Sequence, residues 1–173
     1  YTQSGKVPSV VVDDEHGAYE AVQSLIGQGH RRIGVITGKS DSLHMQARLV
    51  GYQKALRDNG LLYEPELVYY GDWNRETGYK GAGVLFERKV TAIFCMNDIM
   101  AGGVYDWADE MKKKIPEEIS VVGYDNRELS SYYKPPLTTI TLPLHDIGYR
   151  AAEVMIEMLD GKISSQKEEL VSL

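Results

Sequence analysis

Ser120-Val121-Val122-Gly123-Tyr124-Asp125-Asn126 is the stretch that decides the fold of this chain. A short apolar run with β-branched side chains reads as a buried strand. Gly123-Tyr124-Asp125-Asn126 then reads as the loop at its C-terminal end. In open α/β sheets that edge is where ligands bind. Asp125 is therefore expected to anchor a small polar ligand, among other strand-end loops that meet it.

The flanking sequence repeats the pattern. Val10-Val11-Val12 predicts a first strand over 9–12, followed by Asp13 and Asp14, either of which could cap the next helix. Ala18, Ala21, Val22, Leu25 and Ile26 form a helical stripe that stops at Gly27 and Gly29. A second strand is predicted over 32–37, a helix over 44–59 and a third strand over 67–70. A helix interrupted by Gly78, Gly81 and Gly83 follows over 75–87, its glycines read as close packing on the sheet. The fourth strand falls over 91–95, with a helix to about Lys113, and the fifth over 119–123. Residues 126–136 read as irregular, 137–141 as extended, 146–160 as a strongly apolar helix and 168–173 as a last strand. Strand-helix alternation with near-continuous apolar strands predicts an α/β fold, a doubly wound parallel sheet sandwiched by helices. Right-handed crossovers put all the strand-end loops on one edge.

The chain's 173 residues suffice for one domain with a real core. A net charge of -6 argues against this segment itself gripping nucleic acid or an anionic membrane. The single cysteine, Cys95, lies in an apolar run and reads as a core residue; it excludes an internal disulfide and a cysteine-rich zinc site. No apolar stretch approaches the roughly 20 residues needed to span a bilayer. No signal peptide is visible, although Tyr1-Thr2-Gln3 reads as a cut end or a loop and leaves an upstream signal open.

The predicted edge gathers Asp13-Asp14, the loop from Ser40 through Ser42 to His44, Arg48, Asp72-Trp73, Asn97-Asp98 and Asp125-Asn126. Carboxylates accept from neighbouring hydroxyls, a guanidinium donates in a fixed fork, and an indole covers the apolar face of a sugar ring. Taken singly, Asp72, Asn97 and Asp98 read better as helix caps and Trp73 as a core cover. Their convergence points to a binding site for a sugar or other polyol. Catalysis is not expected. No two of the four histidines share a metal-ligand spacing, and no nucleophile elbow, phosphate loop or dinucleotide fingerprint occurs. His30 falls at the opposite end of the second strand, and the paired acids (Asp13-Asp14, Glu117-Glu118, Glu168-Glu169) read as caps or solvated faces.

Several motifs recur in a fixed order: Gly29-His30-Arg31-Arg32-Ile33, Arg48-x-x-Gly51-Tyr52-x-x-Ala55-Leu56, Gly71-Asp72-Trp73, and Asn97-Asp98-Ile99-Met100-Ala101-x-Gly103. Pro116-x-x-Ile119-Ser120-Val121-Val122-Gly123-Tyr124-Asp125-Asn126 and Pro135-Pro136-Leu137-Thr138-Thr139-Ile140 complete the set. Together they resemble the effector-binding core of the lactose/galactose repressor (LacI/GalR) family over about residues 7–161. The resemblance implies a cytoplasmic bacterial transcription regulator with a type I periplasmic-binding-protein-like core that needs no cofactor. Its effector, a sugar or related small polar ligand, would lie between two lobes, contacted by Arg48 and Asp125. Asn97 and Trp73 would line the same pocket, with Ser42 from the neighbouring loop. Ile99, Met100, Tyr132 and Tyr133 would lie at a homodimer interface; the two tyrosines read equally as an exposed pair on an irregular loop. DNA would be reached only through an N-terminal module not in this sequence. Residues 8–141 with 168–173 would form the C-terminal lobe, and 142–163 would return to a largely absent N-terminal lobe. A sugar-binding protein of a transport system is the alternative reading, and an α/β enzyme a third.

Overall fold

The computed structural model describes residues 8–162 and the strand Glu168–Val171. It divides into two compact units. The larger, Asp14–Thr141, holds a five-stranded sheet built from β2 (Ile33–Ile36), β3 (Val68–Tyr69), β4 (Ala92–Cys95), β5 (Ser120–Asp125) and β6 (Thr138–Thr141). All neighbours are parallel, in the order β3-β2-β4-β5-β6. Helix α1 (Asp14–Gly27) leads into β2, and α2 (Leu43–Asp58), α3 (Arg75–Glu87) and α4 (Asp98–Glu110) connect β2 to β5. The strands are apolar because both faces are covered: every residue of β2 and β4 is buried.

The strand order explains where a site can form. The chain steps outward from β2 to β3 and then back across to β4 and β5. Right-handed crossovers therefore send α2 to one face and α3 and α4 to the other. Between the C-terminal ends of β2 and β4 the connections diverge, opening the crevice that parallel α/β sheets use for ligands. At the opposite edge His30 braces the sheet, its Nδ1 2.9 Å from Thr91 Oγ1 and its Nε2 2.9 Å from Ser120 Oγ. Burial lowers its pKa, so the ring works as a neutral hydrogen-bonding strut.

Three sequence expectations need revision. The fifth strand runs past Gly123, so Tyr124 and Asp125 are strand rather than loop: β6 supplies Ile140 and Thr141 as their ladder partners. The chain leaves the sheet at Asp125 (φ 110°) and Asn126 (φ 50°), both in the left-handed region. The glycines of α3 pack mainly against α4 rather than on the sheet. A Cβ on Gly78 would lie 1.9 Å from the Met100 carbonyl oxygen, and one on Gly103 of α4 1.9 Å from that of Arg75; only Gly81 faces the sheet, at Ile36 and Tyr69. The first and last strands do not join the five-stranded sheet. β1 (Ser9–Val12) pairs in parallel with β7 (Glu168–Val171) in a sheet of their own.

Those two strands and α5 (Leu144–Leu159) make up the smaller unit. Helix α5 is strongly amphipathic, yet only Val154 is buried, while Leu144, Tyr149, Met155, Ile156 and Leu159 are exposed. Cys95 is fully buried in the core of the larger unit, as its apolar setting suggests.

Candidate ligand site at the strand switch point

Arg48 stands one turn into α2, beside the end of β2, and is almost fully buried (5 % exposed). Burying a guanidinium requires partners for its charge and its N–H groups. Nε donates to Asp14 Oδ1 at 2.7 Å, and Nη1 donates to the Met96 carbonyl at the end of β4. Asp125 Oδ1, at the end of β5, lies 3.8 Å from Nη1. The plane of the group lies over Tyr124, with Cζ 3.6 Å from the ring centroid, close enough for a cation–π contact. One side chain thus ties α1, α2, β4 and β5 together across the crevice.

Asp14 is as buried as Arg48 (2 % exposed) and divides its carboxylate: Oδ1 serves Arg48 and Oδ2 sits 2.5 Å from His44 Nδ1. It is the first residue of α1, where an acid also suits the helix dipole. Asp125 stays accessible at its tip and has a second cation, Arg127 Nε, 3.4 Å from Oδ2. Burial raises the Asp125 pKa, and Arg48 offsets part of that rise. Burial likewise raises that of the Tyr124 phenol, whose hydroxyl makes no hydrogen bond of normal geometry and has Asp14 as its polar neighbour.

Trp73 completes the wall. Its backbone is left-handed (φ 74°), and its ring lies flat on Gly38 at the end of β2, where a Cβ would come within 1.9 Å of the indole. Arg48 Cζ is 5.7 Å from the indole centroid. Asn97 holds this arrangement from beneath: Oδ1 accepts from Met100 N as the cap of α4, and Nδ2 donates to the Trp73 carbonyl at 3.0 Å. Asp98, the fully buried next residue, accepts from Thr139 Oγ1 (2.6 Å) and Arg127 N (2.8 Å), tying the loop after β5 to α4. Its pKa is raised by burial and partly restored by those donors.

The structure therefore brings Arg48, Asp125, Trp73 and Asn97 together, with Asn97 as a cap and tether. Ser42 has a structural task, capping α2 by accepting from Met45 N at 3.4 Å. Met100 is fully buried inside the larger unit and cannot belong to a partner-facing surface, because the close approach of α3 and α4 encloses it. Ile99 is half-buried and Tyr132 is exposed. Tyr133 stacks on Tyr105 (4.8 Å between centroids) and donates to the Asp98 carbonyl at 3.4 Å. Tyr124 was missed as a site residue; His44 and Asp14 stood on the predicted edge, Asp14 read as a cap and His44 without a role of its own. Among the described residues no cluster of His, Cys, Asp and Glu could hold a metal ion, and no helix is long and apolar enough to cross a membrane.

A parallel sheet whose switch point presents a buried arginine, carboxylates and an indole defines a ligand-binding α/β domain of the periplasmic-binding-protein type. The chain belongs to the periplasmic binding protein-like domain family, whose sequence profile matches residues 22–173. It is 36 % identical over 159 residues to the HTH-type transcriptional repressor CytR of Escherichia coli K12, covering 91 % of this chain and 47 % of that protein. It is 37 % identical over 155 residues to the HTH-type transcriptional repressor PurR of Aliivibrio salmonicida, covering 88 % and 46 %. The chain thus spans about half the length of these curated relatives, which are transcriptional repressors. Among solved structures it superposes on the transcriptional regulator CelR in complex with cellobiose, with a TM-score of 0.91, 30 % identity, and 97 % of this chain and 52 % of that one covered. A LacI-family regulator from Enterococcus faecium with bound ribose gives a TM-score of 0.90 at 27 % identity, covering 99 % and 64 %.

Proposed function

We propose that this chain is part of the effector-binding core of a LacI-family transcription regulator, in which the switch-point edge of the larger unit forms one wall of the effector site. The observation that carries the reading is Arg48, held between Asp14 and Asp125 with Trp73 beside it. Such a wall offers fixed donors, a carboxylate acceptor and an apolar face, the chemistry a sugar or related small polyol needs. Two structural neighbours, CelR with cellobiose and the E. faecium regulator with ribose, carry sugars. In this reading the effector acts by preferring one arrangement of the two lobes over another. A homodimer then passes the change to DNA-binding heads in the cytoplasm. Ile99, Tyr132 and Tyr133 are the surface residues proposed for the dimer contact, and Arg48, Asp125, Trp73 and Asn97 form or support the effector wall, with Ser42 at its margin.

The test is a calorimetric titration of sugars against the full-length protein and its Asp125→Asn variant. Losing a charge-assisted hydrogen bond is expected to weaken effector binding by roughly 10- to 100-fold. Binding of the same sugar with unchanged affinity after Asp125→Asn would sink the assignment.

A further inference from the structure

Arg48 places a full positive charge at the sheet edge, but the fold has already matched it. Asp14 Oδ1 is 2.7 Å from Nε and Asp125 Oδ1 is 3.8 Å from Nη1, so two carboxylates address one guanidinium. Asp98 is a further buried acid close by; a Cβ on Gly123 would lie 2.3 Å from its Oδ1. The other cations of this edge have acids of their own. Arg127 pairs with Asp125 at 3.4 Å, and His44 faces Asp14 at 2.5 Å and is charged only when protonated. Lys39, exposed on the loop after β2, is coupled electrostatically to Asp72. Carboxylates at least balance cations across the wall, and the two that flank Arg48 are largely withdrawn from water, where opposite and like charges both act most strongly.

An arginine left unpaired at a ligand site is a receptor for phosphate or carboxylate, because its fork matches those groups in shape and charge. Here that preference is cancelled. An anionic group brought against Arg48 also meets the negative charges of Asp14 and Asp125, which repel it across a short distance. A hydroxyl meets no such conflict. It can donate to the accessible tip of Asp125 and accept from Arg48 Nη2, which makes no hydrogen bond among the described residues.

We propose that Asp14, held against Arg48 from the first turn of α1, sets the charge class of the effector, admitting neutral polyols and rejecting their phosphorylated and carboxylated counterparts. The inference rests on the reading of this edge as the effector wall and deepens it. Asp14 is a specificity residue acting through Arg48. Its signature is a ratio of affinities, which a merely structural role would leave unchanged.

The experiment uses the full-length protein and matched pairs that differ in charge: ribose and ribose 5-phosphate, glucose and glucose 6-phosphate, cellobiose and cellobionate. Calorimetry at neutral pH and fixed salt gives the neutral-to-anionic affinity ratio, and thermal unfolding with inorganic phosphate reports binding of a bare anion. In the wild type the neutral member of a binding pair is expected to be favoured by roughly tenfold or more. Asp14→Asn is expected to lower that ratio by about the same factor and to let phosphate protect the protein against heat. Equal or tighter binding of the anionic member by the wild type overturns the inference, whether or not the variant folds. An unchanged ratio in a folded Asp14→Asn protein overturns it as well. Phosphate protecting Asp14→Asn but not the wild type supports the charge assignment even where no sugar in the panel binds, an outcome that counts against the sugar reading alone. If neither sugars nor phosphate bind either protein, the effector wall and this inference fall together.

Discussion

Replacing Arg48 with methionine tests the centre of this architecture. The substitution keeps most of the side-chain length and removes the guanidinium. Among the described residues, Asp14, whose side chain is 1 % exposed, then keeps only His44 within ion-pair distance, and Asp125 keeps only the exposed Arg127. Breaking a buried pair by removing one partner typically costs about 3–5 kcal/mol, because a charge is left without compensation. A further ~1 kcal/mol is expected from the lost contact with Tyr124. For a protein of this size the total is a fall in Tm of roughly 8–24 °C. The surface supplies a control of matched chemistry. Arg75 makes two bonds to Asp106 at 2.5 and 2.7 Å, as good in geometry as the buried pair, but both side chains are about half exposed (50 % and 46 %). Arg75→Met is expected to cost about 1 kcal/mol or less. The double variant Arg48→Met, Asp14→Leu removes both buried charges and is expected to recover at least ~2 kcal/mol of the loss. Urea unfolding followed by far-UV circular dichroism measures these proteins and the Asp14→Leu single variant that completes the cycle, with unchanged m-values as the check that only stability has moved. Equal costs for Arg48→Met and Arg75→Met, or strict additivity in the Arg48 and Asp14 pair, would refute the claim that burial makes Arg48 the organising charge.

Gly78→Ala should destabilise by about 1–3 kcal/mol, since its Cβ would meet backbone of α4 that cannot move aside. Gly148→Ala, in α5 with nothing within 4 Å, should instead stabilise by up to ~1 kcal/mol, and thermal melts of the two variants separate packing from propensity. Asn97→Ala should cost roughly 1–2 kcal/mol as a lost helix cap and shift the Trp73 fluorescence, because the same side chain holds the Trp73 carbonyl; an unchanged emission spectrum counts against the tether. Burial raises the Asp98 pKa above 3.8, so the unfolded chain gives up this proton first and the group makes stability fall as pH climbs from there through its folded value. Urea midpoints of the wild type and Asp98→Asn over about pH 4 to 7 should therefore drift in the variant's favour as pH rises, and parallel curves would contradict the buried acid.

The elements of this fold are legible in the sequence because each is a local pattern. The β-branched run at Val121-Val122 and the stripe from Ala18 to Ile26 announce a strand and a helix by period alone. Partners are not local. Ser9–Val12 looks like any strand of the sheet, and only the chain's return at Glu168–Val171 gives it a ladder elsewhere. Gly123 to Asp125 looks like a turn because its residues favour turns, yet Thr139 to Thr141 arrive to pair with it. The site divides in the same way. Arg48, Asp125 and Trp73 could be named from strand-end position and chemistry. Tyr124 reads as a loop residue until Arg48 settles over its ring, and Asp14 reads as a helix cap until its carboxylate is found committed to α2. Met100 shows the opposite error: a plausible surface position on α4 is enclosed once Gly78 lets α3 close upon it.

A buried arginine with two acids is a poor device for stability alone, since apolar side chains of similar volume often serve as well or better. Its value here lies in preorganisation. A free arginine must give up side-chain rotamer freedom, on the order of 1.5–2 kcal/mol, when a ligand fixes it. Arg48 has already given that up in folding, held by Asp14 at Nε, by the Met96 carbonyl at Nη1 and by Tyr124 across its face. Trp73 is fixed in the same manner, by Gly38 against its ring and Asn97 on its carbonyl. On the proposed reading of this wall, its donors and its apolar face are already in position for a ligand, and little of the binding free energy is spent on ordering it. The same rigidity ties site to surface: the Asp98 carboxylate holds the loop of Asp125 through Arg127, and the Asp98 carbonyl accepts from Tyr133. Asp98 thus links the loop after Asp125 to Tyr133 through two hydrogen bonds, one from each side of the residue.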